Sequence, residues 1–275
     1  MIEFLHSFEP QPVLFSIGAL TVYWYGFFIV TGIAAAILVS FWLARHYELS
    51  SDTVFDLSFW LIIGGLIGAR LYEILLMLPF YLANPWQAPK IWEGGLAIHG
   101  AIIAGLIVVW IFSRCQRLDF WRLAAVLTPG VALGQAIGRW GNYFNQEIFG
   151  PPTNLAWGIP INPINRPLEF ITERFFHPTF LYESLGSILI SILLIGANIY
   201  TIKKKRLGQR FFLWSVAFYV ILYSLLRFGL EFIRLDYTPA VLGWRWPQIA
   251  SLLLIMGAAL LLIINSHASQ NKDSR

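Results

Sequence analysis

The chain has 275 residues, of which 57% are hydrophobic, 16% are aromatic and only 12% are charged. Soluble domains carry about 25% charged residues, so this composition excludes an ordinary soluble domain and indicates several membrane-spanning helices. The formal net charge of +4 at pH 7 does not indicate a nucleic-acid partner, because the basic residues fall in short loops between apolar runs.

Apolar runs predict seven membrane-spanning helices, each close to the roughly 20 residues that a spanning helix needs. In chain order they cover residues 20–44, 54–78, 96–113, 121–139, 179–201, 210–232 and 247–265. The first span could begin earlier, because the segment from Val13 to Ile17 is also apolar. We therefore expect an all-α polytopic membrane protein with one integral-membrane domain over residues 1–275.

The Lys and Arg residues between the spans predict the orientation of the chain. When the loops are numbered alternately, eleven of these residues fall on one side and five on the other. Arg70, Arg139 and Arg227 lie inside spans or at their edges. Because cytoplasmic loops carry the excess of basic residues, we expect a periplasmic N-terminus and a cytoplasmic C-terminus.

Two connections on the predicted external side are expected to be irregular, at about residues 79–95 and 140–178. The first contains Asn84-Pro85-Trp86 and Pro89, and the second is also rich in proline. Proline interrupts helices, and loops of the second segment's length are more often functional than simple spacers.

Polar residues within or beside the spans concentrate on this external side. Tyr223, Arg227 and Glu231 recur every four residues, which places them on one face of the sixth span. The remaining positions are Tyr25 in the first span, Arg70 and Glu73 in the second, His99 in the third, Arg139, Asn142 and Glu147 at and just past the end of the fourth, and His177 and Glu183 around the start of the fifth. Ionisable groups are costly in lipid, so this one-sided concentration predicts a functional site.

The same residues also have structural interpretations. Arg227 with Glu231 has the spacing of an intrahelical ion pair, as does Arg70 with Glu73. Arg139 could extend to the headgroups as a helix-end anchor. His99 could be a hydrogen-bonded packing residue, and Tyr25 could belong to an aromatic belt. A headgroup transporter and a non-catalytic scaffold therefore remain alternatives to an enzyme.

The glycines indicate close packing and tight turns. Gly130, Gly134 and Gly138 recur every four residues, as do Gly64 and Gly68, and small residues at that spacing let membrane helices approach closely. Gly141 and Gly150 lie past the predicted end of the fourth span, where we expect them to permit tight backbone turns.

Two arginines at the headgroup level suit a phosphodiester ligand. The planar guanidinium groups of Arg139 and Arg227 match phosphate oxygens, and the membrane itself supplies phospholipids. A histidine near such a phosphate suggests proton transfer, so His99 is the first candidate for a proton acceptor, with Glu231 or Tyr25 as alternatives. The spacing of His, Cys and carboxylate residues matches no known metal site, so we expect neither a metal nor a cofactor.

The segment Gly138-Arg139-Trp140-Gly141-Asn142-Tyr143-Phe144-Asn145-Gln146-Glu147-Ile148-Phe149-Gly150 resembles the signature of the bacterial prolipoprotein diacylglyceryl transferases. Other hallmarks of that family follow in order: Trp24-Tyr25-Gly26, Gly68-Ala69-Arg70, Gly95-Leu96-Ala97-Ile98-His99-Gly100, His177-Pro178 with Leu181-Tyr182-Glu183, and Arg227-Phe228-Gly229-Leu230-Glu231-Phe232. Two positions depart from the family pattern, since Tyr143 stands where Phe is usual and Phe180 where Gln is usual. With Phe at position 180, this chain lacks the side-chain amide that the family usually has there.

The resemblance implies an enzyme of the bacterial inner membrane whose active site faces the periplasm. Such an enzyme transfers the diacylglyceryl group of phosphatidylglycerol to the lipobox cysteine thiol of a preprolipoprotein, the first step of lipoprotein maturation. Arg139 and Arg227 would bind the phospholipid and act in catalysis. The other site residues that we expect are His99, Tyr25, Asn142, Gly150, Tyr223 and Glu231, together with Glu147 and Arg70 as substrate-binding residues.

Overall fold

A computed structural model describes residues 2–18 and 20–273 of the chain. The helices of this part are α1 (Ile2–Ser7), α2 (Trp24–Ala44), α3 (Ser51–Leu76), α4 (Leu78–Ala83), α5 (Ile98–Cys115), α6 (Phe120–Phe144), α7 (Thr179–Lys203), α8 (Gln209–Leu230) and α9 (Trp246–Asp273). All except the short α1 and α4 are long and apolar enough to cross a bilayer. The seven predicted spans are confirmed, and the chain is a multi-pass membrane protein.

The structure corrects two predicted helix boundaries. The first span does not begin near Val13, because β1 (Val13–Ile17) and β2 (Leu20–Tyr23) form an antiparallel hairpin before α2 begins at Trp24. Gly18 has a φ of +59°, a left-handed conformation that suits the turn of this hairpin. The fourth span does not end at 139, since α6 continues to Phe144 and keeps Arg139 and Asn142 in its last two turns.

The two predicted external connections contain only short elements. Residues 79–95 hold the end of α4 and 3-10 turns at Pro85–Gln87 and Ile91–Glu93. In residues 140–178, the strands β3 (Ile159–Pro160) and β4 (Phe175–Phe176) pair antiparallel. A further two-residue ribbon, β5 (Ala240–Val241) with β6 (Trp244–Arg245), follows α8. These connections are irregular, as the prolines predict.

The described residues form two compact units. One comprises residues 40–126 and the other comprises residues up to 39 together with residues from 127 onward. Within the 40–126 unit, α3 and α5 pack through small residues, because Gly64 lies against Val108 and Gly68 against Gly100 and Ala104. The predicted packing role of these two glycines is confirmed.

In the larger unit, α2 and α6 also pack closely through small residues. A Cβ atom added at Gly32 would lie 2.8 Å from the carbonyl oxygen of Gly134, and one added at Gly130 would collide with the carbonyl of Ala36. Helix α7 packs on α6 through serine hydroxyls: Ser184 donates to the carbonyl of Ala136 and Ser191 to that of Pro129, both at 2.8 Å. The second bond goes to the carbonyl of Pro129, the proline inside α6.

An apolar cluster holds the connection after α6 in place. Its buried members are Leu5, Tyr143, Phe149, Ile159, Ile161, Phe176 and Phe180. The side chain of Gln146 ties this region to the N-terminal segment, since its Nε2 donates to the carbonyl of Pro10 at 2.8 Å and its Oε1 accepts from the backbone of Asn162 at 2.6 Å. The connection after α6 is therefore packed firmly against the end of that helix.

The close approach of α2 and α6 predicts a difference between two glycines of the same helix. Gly32→Ala forces the two backbones apart, because the new methyl group meets a carbonyl oxygen, and overpacking of this kind costs about 1–3 kcal/mol. Gly26→Ala meets no atom within 4 Å, so it should leave the melting temperature unchanged or raise it. Thermal unfolding in detergent measures both variants, and equal melting temperatures would contradict this packing.

Candidate active site

Arg139 is held from three helices at one end of the larger unit. Its Nη2 lies 2.8 Å from Oε1 of Glu183, in the first turns of α7, and 3.4 Å from the hydroxyl of Tyr223 on α8. Its Nη1 donates to Oδ1 of Asn142 at 3.2 Å, one turn further along α6. The Tyr223 hydroxyl in turn donates to Glu183 at 2.8 Å. These contacts fix the guanidinium plane with respect to α7 and α8.

Glu183 lies between two cations. Its side chain is only 1% exposed, and its second oxygen lies 3.8 Å from Nη1 of Arg234. Burial of a carboxylate is costly unless ion-pair and hydrogen-bond partners replace the lost water. Arg139, Arg234 and the Tyr223 hydroxyl supply those partners.

Glu231 has a corresponding arrangement at the end of α8. Its side chain is fully buried and forms an ion pair with Arg227, one turn earlier. The other oxygen lies 3.0 Å from Nε of Arg245, on β6, and accepts from the hydroxyl of Thr238 at 3.4 Å. The predicted ion pair of Arg227 with Glu231 is present, and a second cation from a distant part of the chain joins it.

The segment after α8 joins the two glutamates. Arg234 forms two hydrogen bonds to the carboxylate of Asp236, at 2.7 and 3.0 Å. Arg245 donates to the carbonyls of Glu231 at 3.1 Å and of Arg234 at 2.7 Å. We call these side chains the arginine–carboxylate network, which comprises Arg139, Arg227, Arg234, Arg245, Glu183, Glu231 and Asp236. Arg139 and Arg227 thus belong to one connected set of contacts.

Asp236 lies outside the membrane-spanning helices. Burial alone would raise the pKa of its carboxyl, but the hydrogen bonds and charge of Arg234, with the nearby charge of Arg245, hold that pKa below its ordinary value. Asp236 therefore carries its negative charge at neutral pH.

The arginines of the network differ in how many donors they have left. All three nitrogens of Arg234 and of Arg245 contact protein oxygens. Among the described residues, the contacts of Arg227 engage Nη1 alone, and those of Arg139 leave Nε unused. The side chains of Arg227 and Arg139 are 17% and 23% exposed. These two arginines can therefore donate to an anionic ligand without giving up a protein contact.

Asn142 and Glu147 extend the contacts of Arg139 toward solvent. Asn142 is buried, accepts from Arg139 and donates to Oε1 of Glu147 at 2.7 Å. Tyr25, near the start of α2, packs its ring and backbone against Gly141 of α6. The structure thus brings Tyr25, Asn142 and Glu147 to the same end of α6 as Arg139.

The predicted role of Gly141 and Gly150 as tight-turn residues is wrong. Neither has a positive φ, and Gly141 lies inside α6. Both are instead sites of close approach: an added Cβ at Gly141 would lie 2.9 Å from the Tyr25 ring, and one at Gly150 would lie 2.6 Å from the carbonyl of Ile233. Gly150 therefore lets the connection after α6 pack against the segment that carries Arg234.

Arg70 and His99 belong to the 40–126 unit. Arg70 is buried and donates to the backbone carbonyls of Gln87, Ala88, Lys90, Gly94 and Gly95 at 2.5–3.4 Å. These bonds hold the irregular 87–95 segment, so the contacts account for Arg70 structurally, and its role in substrate binding stays a prediction. His99 lies in the first turn of α5, exposed, with its ring centroid 5.9 Å from that of Tyr72.

Sequence reasoning missed three members of the network. From the sequence, Arg234 and Arg245 are only two of the five basic residues on the predicted external side, and no local pattern points to Asp236. The spacing of Arg227, Glu231 and Arg234 at four and three residues would have placed Arg234 on the same side of the helix end. Nothing local links Arg245 to Glu231, because they meet only through the β5–β6 ribbon. Glu183 is one of the polar residues expected on the external side, but its position in the sequence predicts no specific partner.

The two departures from the family pattern contact each other. The rings of Tyr143 and Phe180 stack with centroids 4.8 Å apart, and both are buried in the apolar cluster beside α6. The aromatic ring of Phe180 therefore packs against another ring in this chain. A buried amide at the same position would need a hydrogen-bonding partner instead.

Comparison with known proteins identifies the family. A family model described as prolipoprotein diacylglyceryl transferase matches residues 12–264. Proteins named phosphatidylglycerol–prolipoprotein diacylglyceryl transferase are similar to this chain: the one from a Synechocystis strain is 42% identical over 93% of this chain and 90% of its own length, and the one from Thermosynechococcus vestitus is 40% identical over 90% of each. A relative from a Nostoc strain is 41% identical over 83% of this chain and 80% of its own length. The chain belongs to the prolipoprotein diacylglyceryl transferase family, and the resemblance is confirmed.

The position of Glu183 between two arginines predicts a large effect on stability. Glu183→Gln leaves Arg139 and Arg234 without their shared counter-charge, and breaking a buried ion pair in this way costs about 3–5 kcal/mol. Glu9→Gln breaks a solvent-exposed pair with Arg174 and should cost less than about 1 kcal/mol. Thermal unfolding in detergent compares the two variants, and a similar small loss in both would argue against a structural role for Glu183.

Proposed function

We propose that this member of the prolipoprotein diacylglyceryl transferase family transfers the diacylglyceryl group of phosphatidylglycerol to the lipobox cysteine thiol of a preprolipoprotein. The names of its relatives support both substrates. The observation that carries the proposal is that Arg139 and Arg227 belong to one network of contacts. Each has at least one nitrogen that contacts no protein group among the described residues. The products are a thioether-linked lipid and glycerol phosphate.

The reaction needs an acceptor for a proton and stabilisation for a leaving group. The thiol loses its proton, and the thiolate attacks the glycerol carbon that bears the phosphate. A carbon–sulfur bond forms while the carbon–oxygen bond breaks, and the bonding electrons leave with the phosphate oxygen. The phosphate gains one negative charge as it becomes a monoester. Donors positioned for such a charge typically contribute about 3–4 kcal/mol each.

Arg227 and Arg139 are the residues that we assign to the phosphate. Arg227 has two nitrogens, Nε and Nη2, that no protein group in the described part of the chain uses, and such a pair matches two phosphate oxygens in a planar fork. Arg139 adds its unused Nε as a single donor. Asn142 and Tyr223 would hold Arg139 in place, since both contact its guanidinium. We propose Glu147 and Gly150 as supporting substrate-binding residues of the same region.

His99 is our first candidate for the proton acceptor. Its imidazole is exposed in the first turn of α5, and histidine changes its protonation near neutral pH. Glu231 is a weaker candidate, because a protonated Glu231 would lose its ion pairs with Arg227 and Arg245. Tyr25 remains the other alternative.

We propose that the enzyme lies in the bacterial inner membrane with the network on the periplasmic side. The excess of basic residues in the opposite loops supports this orientation. Cys115, exposed at the predicted cytoplasmic end of α5, provides a test. A membrane-impermeant maleimide should leave Cys115 unlabelled in intact spheroplasts and label it after lysis, whereas Leu168→Cys in a Cys115→Ser background should react in intact spheroplasts. The reverse pattern would refute the orientation.

Replacement of either phosphate-binding arginine should abolish transfer while the protein still inserts. For Arg139→Gln and Arg227→Gln we expect a loss of at least about 100-fold in rate, because each removes a donor to the leaving phosphate. Arg174→Gln is the matched control, since it removes an exposed arginine outside the network. Purified protein in vesicles is incubated with labelled phosphatidylglycerol and a lipobox peptide. Transfer at the unmodified rate by Arg139→Gln would refute the proposal, and lipid translocation without transfer would favour a transporter.

The proton acceptor is tested separately with His99→Gln. If His99 takes the thiol proton, the variant should lose about 100-fold or more in rate while its affinity for phosphatidylglycerol is retained. Turnover within about threefold of the unmodified protein would remove His99 from the chemistry. The same assay on Tyr25→Phe and Glu231→Gln would then decide between the two alternatives.

A further inference from the structure

The charges of the arginine–carboxylate network do not cancel. It contains four arginines and three carboxylates, so its formal charge is +1. Glu183 and Glu231 are at most 1% exposed and the Arg234 side chain is 6% exposed, so solvent screens these charges poorly. Glu147 is connected to the network through Asn142, but it is exposed and its charge is largely screened by solvent.

A network of charge +1 is complementary to one negative charge. A phosphodiester carries a single negative charge at every pH of interest. A phosphate monoester has a second ionisation near pH 6 and is mostly a dianion above neutral pH. Above neutral pH the two forms of phosphate therefore differ by one negative charge.

We propose that the net charge of the arginine–carboxylate network selects a monoanionic phosphodiester headgroup over a dianionic phosphate monoester, and so favours release of the product. The proposal rests on the proposed function, because it takes the headgroup to bind at Arg139 and Arg227. The charges balance through the reaction: a neutral thiol and a monoanionic phospholipid give a neutral thioether, a dianionic glycerol phosphate and one proton. The product thus carries one negative charge more than the network neutralises.

Two members of the network allow its charge to be changed in opposite directions without removing the phosphate-binding arginines. Asp236→Asn raises the charge to +2, and Arg245→Gln lowers it to zero. Arg245→Lys keeps the charge but loses the planar fork, so it reports the effect of damaged geometry alone. Arg174→Gln removes a positive charge from an exposed pair outside the network and serves as the control for total charge.

The measurement is the affinity of the purified protein for two soluble headgroup probes at pH 8. Glycerophosphoglycerol is the monoanion and glycerol 1-phosphate is the dianion, and calorimetry gives a dissociation constant for each. We expect the unmodified protein to prefer the monoanion. Asp236→Asn should shift the ratio of the two constants about tenfold toward the dianion, and Arg245→Gln should shift it about tenfold the other way. Arg245→Lys and Arg174→Gln should stay within about twofold of the unmodified ratio.

Several outcomes would overturn the proposal. It fails if the unmodified protein does not prefer the monoanion, if it binds neither probe at millimolar concentration, or if Asp236→Asn and Arg245→Gln move the ratio in the same direction or not at all. If Arg245→Gln does not fold, Asp236→Asn decides alone. A protein that shows the expected ratios but transfers no lipid would refute the proposed function only. A protein that transfers lipid with unmoved ratios would refute the charge selection only.

Discussion

Two buried glutamates, each held between two arginines, are the constraint on which this end of the molecule depends. Glu183 pairs with Arg139 and Arg234, and Glu231 pairs with Arg227 and Arg245. A buried carboxylate without its partners is strongly destabilising, so the partners must be brought together wherever they lie in the chain. The ends of α6, α7 and α8 and the ribbon after α8 therefore have to meet at this place.

The rest of the larger unit makes that meeting possible. Gly32 and Gly134 allow α2 and α6 to approach closely, and serine hydroxyls of α7 bond to the carbonyls of α6. Gly150 lets the connection after α6 pack against Ile233, next to Arg234. Arg245 has no donor nitrogen to spare for a ligand, so its contribution is to hold the segment around Glu231. Arg234 and Arg245 thus fix the positions of Arg139 and Arg227, the two arginines that we propose bind the substrate.

Much of this arrangement is encoded locally and could be predicted from the sequence. Apolar runs gave the seven spans, and the four-residue spacing of Arg227 and Glu231 gave their ion pair. The close packing of Gly130 and Gly134 was expected from their spacing, and in the structure both lie against α2. The pairing of Arg245 with Glu231, and of Arg234 with Glu183, depends on how distant segments fold onto one another, which helical spacing does not record. The hairpin of β1 and β2 was missed because an apolar run alone does not distinguish a strand from the start of a helix.

The central claim is that Arg139 and Arg227 bind the phosphate of one lipid headgroup, and a structure with the lipid bound tests it most directly. Cryo-electron microscopy of the unmodified protein in phosphatidylglycerol nanodiscs would locate the phosphate. Our account predicts a single phosphate within hydrogen-bonding distance of both guanidiniums, with the ion pairs of Glu183 and Glu231 intact. A headgroup that contacts neither arginine, or separate phosphates on Arg139 and Arg227, would contradict it.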